Sequence, residues 1–196
     1  RAIVQPNYLA GAGYDITLLE LSTPSTKTPA RVVGAGGAAL WAPSTMETIV
    51  GFGTTSEGGD AGDTLQEAQV PITTDATCAA AYSDFDPTTM VCAGYPQGGT
   101  DTCQGDSGGP LFGRTAAGAL KVVGATSFGE GCARPGKPGV YDVIYAYADE
   151  TVGLAAGRLA VRLVNHLVQP EAGFEPQVEI DELIRLAIER YDRRAS

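Results

Sequence analysis

Asp101-Thr102-Cys103-Gln104-Gly105-Asp106-Ser107-Gly108-Gly109-Pro110 is the stretch on which the reading of this chain turns. Acyl transfer needs a nucleophile in a sharp turn, beside backbone N–H groups that can bind a developing oxyanion. Ser107 is a hydroxyl set among glycines. Gly105 lets the backbone approach a substrate and tolerates unusual φ, so the N–H groups of Gly105 and Ser107 are expected to point at one oxygen. Asp106 puts a charge next to this turn and calls for a partner. A polar Gly/Ser turn between strands is the plainer alternative. Gly-Asp-Ser-Gly alone would not separate the two, whereas ten consecutive residues favour catalysis.

The surroundings agree with a loop-rich β protein. The chain has 196 residues, 43% of them hydrophobic, with 26 glycines and only 18% charged residues, a balance that favours strands and turns over a helical bundle. Its net charge of −10 argues against a nucleic-acid surface and against attraction to anionic membranes. No apolar run reaches the length needed to span a bilayer. The first residue is Arg1 and not Met, as expected of a processed or partial chain. Cys78, Cys92, Cys103 and Cys132 include no C-x-x-C pair. An even count in a Gly-rich chain suggests two disulfides and an oxidising compartment, with three pairings open on sequence alone.

Composition changes near residue 150. Only Gly153, Gly157 and Gly173 of the glycines lie beyond it, and all four cysteines lie before it. Short candidate strands occupy 16–19, 48–53, 65–72, 90–93, 120–128 and 139–143, separated by Gly, Pro and Asp clusters. From 151 onward the pattern is helical. Val152, Ala156, Leu159, Ala160, Leu163, Val164, Leu167 and Val168 recur at helical spacing, Pro170 stops the run, and a second stretch covers 180–191.

Five further blocks surround the Ser107 stretch, all in one order. They are Tyr14 to Leu19, Gly51-Phe52-Gly53 with Leu65 to Pro71, Val91 to Tyr95, Ser127 to Cys132, and Lys137 to Tyr141. Together the chain over residues 5–150 resembles the chymotrypsin/trypsin family of serine proteases, close to the bacterial trypsins. The resemblance implies an all-β fold. Residues 1–29 would be a remnant of a first barrel, residues 30–150 a complete six-stranded antiparallel second barrel, and residues 151–196 a helical extension. It implies secretion, a peptide or protein substrate, no metal and no organic cofactor. Oligomeric state is left open.

Roles carry over residue by residue. Ser107 matches the nucleophile and Asp15 the aspartate that orients the catalytic imidazole. Gly105 and Ser107 match the oxyanion-hole donors. Asp101 matches the base of the primary specificity pocket, where a carboxylate selects Arg or Lys because an apolar side chain would leave it desolvated and unpaired. Thr102, Gln104, Ser127, Phe128, Gly129 and Gly139 match substrate-binding positions, with Ser127 to Gly129 pairing to substrate backbone. The family pattern pairs Cys78 with Cys92 and Cys103 with Cys132.

The chain also departs from that pattern. The general base of the family is a histidine upstream of the aspartate, and no histidine precedes Asp15 here. Arg1-Ala2-Ile3-Val4 is too close to Asp15 to serve as the family's activation terminus. The sole histidine, His166, falls in the tail and reads as a solvent-edge residue. The 196-residue chain alone is therefore expected to be inactive, and a non-catalytic homologue acting as a binding module is the alternative. Phe52 and Phe128 stand where the family usually has Trp. Two rival motifs are set aside. The glycines of 34–37 imitate a dinucleotide turn, but Trp41-Ala42-Pro43 would break the required helix. Ser56 to Asp63 has oxygen ligands but no calcium-loop register, and reads as a solvated loop.

Overall fold

The computed structural model describes residues 2–5, 7–8, 13–21, 23, 25, 30–34, 36–144 and 159–161. In chain order the strands are β1 (Ala2–Val4), β2 (Thr17–Glu20), β3 (Met46–Gly51), β4 (Gln66–Pro71), β5 (Met90–Ala93), β6 (Pro110–Arg114), β7 (Leu120–Phe128), β8 (Gly139–Val143) and β9 (Leu159–Val161), with one helix, α1 (Asp75–Ala81).

Six strands form one antiparallel sheet in the order β4-β3-β6-β7-β8-β5. Its two ends meet. Ile72, just past β4, bridges Ala93 of β5, and Thr73 N–H to Cys92 O and Gly94 N–H to Pro71 O, each 2.9 Å, stitch the same seam. The sheet thus closes on itself around Ile49, Val70, Ile72, Val91, Ala93, Leu111, Val123, Tyr141 and Val143. Strands β5 and β8 are buried along their whole length; β5 is apolar throughout, whereas β8 buries Asp142 among its apolar residues. A turn of 3-10 helix, Ala38–Trp41, packs Leu40 and Trp41 against this core. Among the described residues the glycines of 34–37 lead only into this single 3-10 turn and not into the α-helix a dinucleotide turn requires. The all-β fold expected from the sequence is the one observed.

β1, the 3-10 turn, β6 and α1 escaped the sequence reading. β6 is short and contains Gly113, so its apolar signal is only Leu111 and Phe112; its register with β7 shifts between these two residues. α1 is a two-turn helix capped by Thr74, whose hydroxyl accepts the Thr77 N–H at 3.1 Å, with Asp75 in its first turn. Cys78, its buried residue, is bonded to Cys92 of β5, and the second disulfide joins Cys103 to Cys132.

A second sheet has the order β1-β2-β9. It corrects the reading of Leu159 and Ala160 as part of a helix: Leu159–Val161 lies antiparallel to β2, with Leu19 opposite Ala160. Backbone pairing to an available strand outweighs the local helical periodicity there. The rest of the predicted helical extension, including His166, lies outside the described residues. So do parts of the segment before residue 30.

Glu47 is the unexpected member of the interior. It shares the inward face of β3 with Ile49, two residues on, and is only 1% exposed. A Cβ on Gly113 would come 2.9 Å from Glu47 Oε2, so the carboxyl fills space that Gly113 leaves. That oxygen has no hydrogen-bond partner among the described residues. Burial pushes the Glu47 carboxyl up to about 8, against a smaller lowering by the Thr45 hydroxyl. Between its ordinary range and pH 8 the folded protein holds a proton that the unfolded chain has released, so stability falls as pH rises through that window. We expect the midpoint of chemical unfolding to drop from pH 5 to pH 9, and Glu47→Gln to flatten the profile and raise the midpoint at pH 8. A wild-type midpoint that climbs across the window would contradict this account.

Candidate active site

Everything in the site hangs from the loop between β5 and β6, and Asp106 fixes that loop. Its Oδ1 accepts the Gly53 N–H at 2.8 Å and its Oδ2 the Cys103 N–H at 2.9 Å. Burial raises the Asp106 carboxyl above its usual range, and the two backbone donors pull it back down. The carboxylate lies so close to the Gly51-Phe52-Gly53 backbone that a Cβ on Gly53 would be 2.5 Å from its carboxyl carbon. The spacing of these glycines thus has a steric cause, and the partner that Asp106 called for is backbone amide.

With Asp106 anchored, the chain turns sharply. Asp106 N–H reaches Cys103 O (3.0 Å), Gly109 N–H reaches Asp106 O (2.8 Å), and Gly108 N–H reaches Thr126 O on β7 (3.0 Å). Gly105 takes φ 94, a conformation open to glycine. Ser107 and Gly105 are both exposed. Among the described residues neither of their N–H groups donates a hydrogen bond, leaving two backbone donors at the outer face of the turn.

Asp101 sits deeper and is partly buried. Its Oδ1 accepts the Thr102 N–H at 2.8 Å and its Oδ2 the Ala133 N–H at 3.1 Å. Burial raises its carboxyl, the bonds from Ala133 and Thr102 lower it, and nearby Asp106 raises it further. Gly139 of β8 lies against it, since a Cβ there would stand 2.6 Å from Asp101 Oδ1 and 3.1 Å from the Tyr141 hydroxyl. Tyr141 is fully buried, with its hydroxyl 3.4 Å from Thr102 Oγ1. A Cβ on Gly129 would be 4.0 Å from Gly139 Cα, in ordinary contact. The Cys103–Cys132 bridge ties this loop to the segment carrying Ala133.

Ser127 lies where the β7–β8 register shifts: Thr126 pairs with Tyr141 and Phe128 with Val140. Such an extra residue re-aims a side chain. The Ser127 hydroxyl donates to Asp15 Oδ2 at 3.1 Å. Asp15 is carried between Tyr14 and Ile16, which pack with Ala125 and Ile144, and Tyr14 holds an unusual φ of 62. Gln104 turns away toward residues 54–58, its Oε1 accepting the Gly58 N–H at 3.2 Å. Phe128 is 37% exposed, its ring edge-on to Tyr82 with centroids 5.4 Å apart.

The structure therefore groups Asp101 with Gly139, Gly105 with Ser107, and Asp15 with Ser127. Sequence reasoning missed Ala133 and Tyr141, which touch Asp101 or its neighbour. It also missed the Glu57–Arg134 ion pair beside Cys132. A backbone donor leaves no mark in sequence, and the two charges are 77 residues apart. Among the described residues no cluster of three or more His, Cys, Asp or Glu is placed to hold a metal.

Comparison with known proteins follows the same outline. The family described as Trypsin matches residues 1–150. The chain is 50% identical over 147 residues to a trypsin of Saccharopolyspora erythraea, covering 74% of this chain and 62% of that protein. It is 49% identical over 104 residues to trypsin-1 of Astacus astacus, covering 52% of this chain and 43% of that one. It is 40% identical over 155 residues to a trypsin-like protease of Streptomyces glaucescens, covering 78% and 56%. The chain thus spans less than two thirds of the length of each of these relatives.

The Asp106 cradle makes a quantitative prediction. A Cβ on Gly51 would fall on Asp106 Oδ1, 2.7 Å from its carboxyl carbon, and the carboxylate is pinned by two bonds. Gly51→Ala should destabilise by about 1–3 kcal/mol in denaturant titration. Combined with Asp106→Ala it should cost less than the sum of the two single changes. Strict additivity would show that the close approach does not matter.

Proposed function

This chain belongs to the trypsin family of serine proteases, and on that footing we propose that the protein it comes from is a secreted endopeptidase cleaving after Arg and Lys. The division of labour is carried over from the family. Ser107 Oγ attacks the scissile carbonyl while its proton passes to the catalytic base. The C–N bond then breaks with the proton delivered to the departing amine, leaving an acyl-enzyme. The Gly105 and Ser107 N–H groups bind the oxyanion formed between these steps. A donor of that kind contributes about 10²–10³ in rate. Asp15 orients the catalytic base. Substrate backbone lies along 127–129 and water completes hydrolysis.

The observation that carries the specificity is the Asp101 carboxylate lodged against the bare Cα of Gly139. Two backbone donors favour its ionised form, and no cation among the described residues pairs with it. A guanidinium or ammonium reaching that depth finds an acceptor, whereas an apolar side chain leaves a desolvated charge. The two unspent donors of the Gly105–Ser107 turn support the acyl-transfer step. Two disulfides fit an oxidising compartment.

The base is the open element. The single histidine, His166, follows Ser107 by 59 positions instead of preceding Asp15. We propose that the 196-residue chain alone forms no acyl-enzyme. A burst of product from an arginine ester on this chain would refute that. In the full-length protein, a serine-directed fluorophosphonate should label Ser107; failure to label would favour a non-catalytic binding module instead. Asp101→Ser should lower kcat/KM for an arginine ester on the order of 10²-fold. Unchanged Arg/Lys preference in that variant would remove the assignment of the slot.

A further inference from the structure

The loop between β7 and β8 carries Ala133, whose N–H holds Asp101 Oδ2 at 3.1 Å. Ala133 has φ 54, a left-handed conformation that a residue with a Cβ adopts only when its surroundings impose it. One carboxylate grips the chain on both sides of it. Glu57 Oε2 accepts the Cys132 N–H at 3.3 Å on one side and the Arg134 Nε–H at 2.9 Å on the other, while Glu57 Oε1 takes the second guanidinium donor at 2.5 Å. The pair is bidentate, the geometry in which an exposed ion pair orients best. It packs over Gly131 so closely that a Cβ there would come 2.5 Å from Glu57 Oε2 and 2.2 Å from Arg134 Nε. Glu57 belongs to the separate loop between β3 and β4, far from this segment in sequence.

We propose that Glu57 is a positioning residue for the cation slot. It reaches across from the β3–β4 loop and fixes Ala133, so that the Ala133 N–H stays aimed at Asp101 and the carboxylate faces an incoming guanidinium or ammonium. This rests on the reading of Asp101 as the specificity carboxylate. Glu57 itself touches no substrate. The Gly99 N–H still reaches Ala133 O at 2.9 Å and Cys132 stays bonded to Cys103, so losing Glu57 loosens Ala133 without releasing it, and its N–H is held less firmly on Asp101. Recognition of a positively charged side chain therefore depends on a loop that does not line the slot.

The test uses the full-length protein, with benzamidine as an aryl-amidinium probe and two ester substrates, one with arginine and one with an uncharged aromatic at the cleaved position. Glu57→Ala and Glu57→Gln should each weaken benzamidine binding about fivefold. Each should raise KM for the arginine ester by a similar factor, with kcat nearly constant and the aromatic ester unaffected. Glu57→Gln keeps the size of the side chain, so it guards against a variant that simply fails to fold. Equal losses on both esters would mark Glu57 as merely structural and overturn the proposal. Unchanged benzamidine binding in both variants, with Asp101→Ser abolishing it, would overturn the proposal while leaving the slot intact. Unchanged binding in Asp101→Ser would overturn the slot and this inference with it.

Discussion

A carboxylate taken out of water must be given hydrogen-bond donors, and the site is organised around how Asp106 meets that demand. Its two oxygens collect amides from Gly53 and Cys103. This locks the β3–β4 loop to the β5–β6 loop and leaves Ser107 on an exposed turn with its own amide unspent. Side-chain-free backbone at 51 and 53 is the steric condition for that contact. Position 101 is arranged by the same logic one step further along, with amides from Thr102 and Ala133 and a bare Cα at Gly139. Backbone amides thus define the polar geometry of the site, which is why so few side chains are needed to build it.

Much of this was legible in sequence, for physical reasons. β5 and β8 are buried throughout, and β7 is buried over its middle, so their predominantly apolar segments read as strands in spite of Asp142 in β8. Ten residues around Ser107 form a pattern more specific than a generic turn, and the family match over residues 1–150 includes them. β6 stayed hidden because two apolar residues beside a glycine give no periodicity. α1 stayed hidden because its seven residues contain only one buried position, Cys78. Leu159–Val161 misled for the opposite reason: the helical spacing is real, yet a neighbouring strand supplies the backbone partners.

The charged groups were the least legible. Glu57 read as one more acid of a solvated loop, because nothing local announces Arg134. Glu47 lay just outside the predicted strand 48–53 and drew no reading, although it lies in the interior beside Gly113. Both depend on pairings brought about only by the closed sheet. The shift in register at Ser127 belongs with them. One unmatched residue in β7 turns a hydroxyl toward Asp15 and so links the large sheet to the segment before β2.

Stitching Ile72 to Ala93 has a consequence for behaviour in solution. An open six-stranded sheet would present a bare row of amides and carbonyls along each outermost strand, a template on which a second molecule can grow cross-strand order. Here the two ends meet just past β4, where one bridge and two flanking hydrogen bonds occupy the backbone groups of residues 71–73 and 92–94. Among the described residues, the outer strands of the smaller sheet, Ala2–Val4 and Leu159–Val161, each contribute three residues. At the Ile72–Ala93 seam the template is absent.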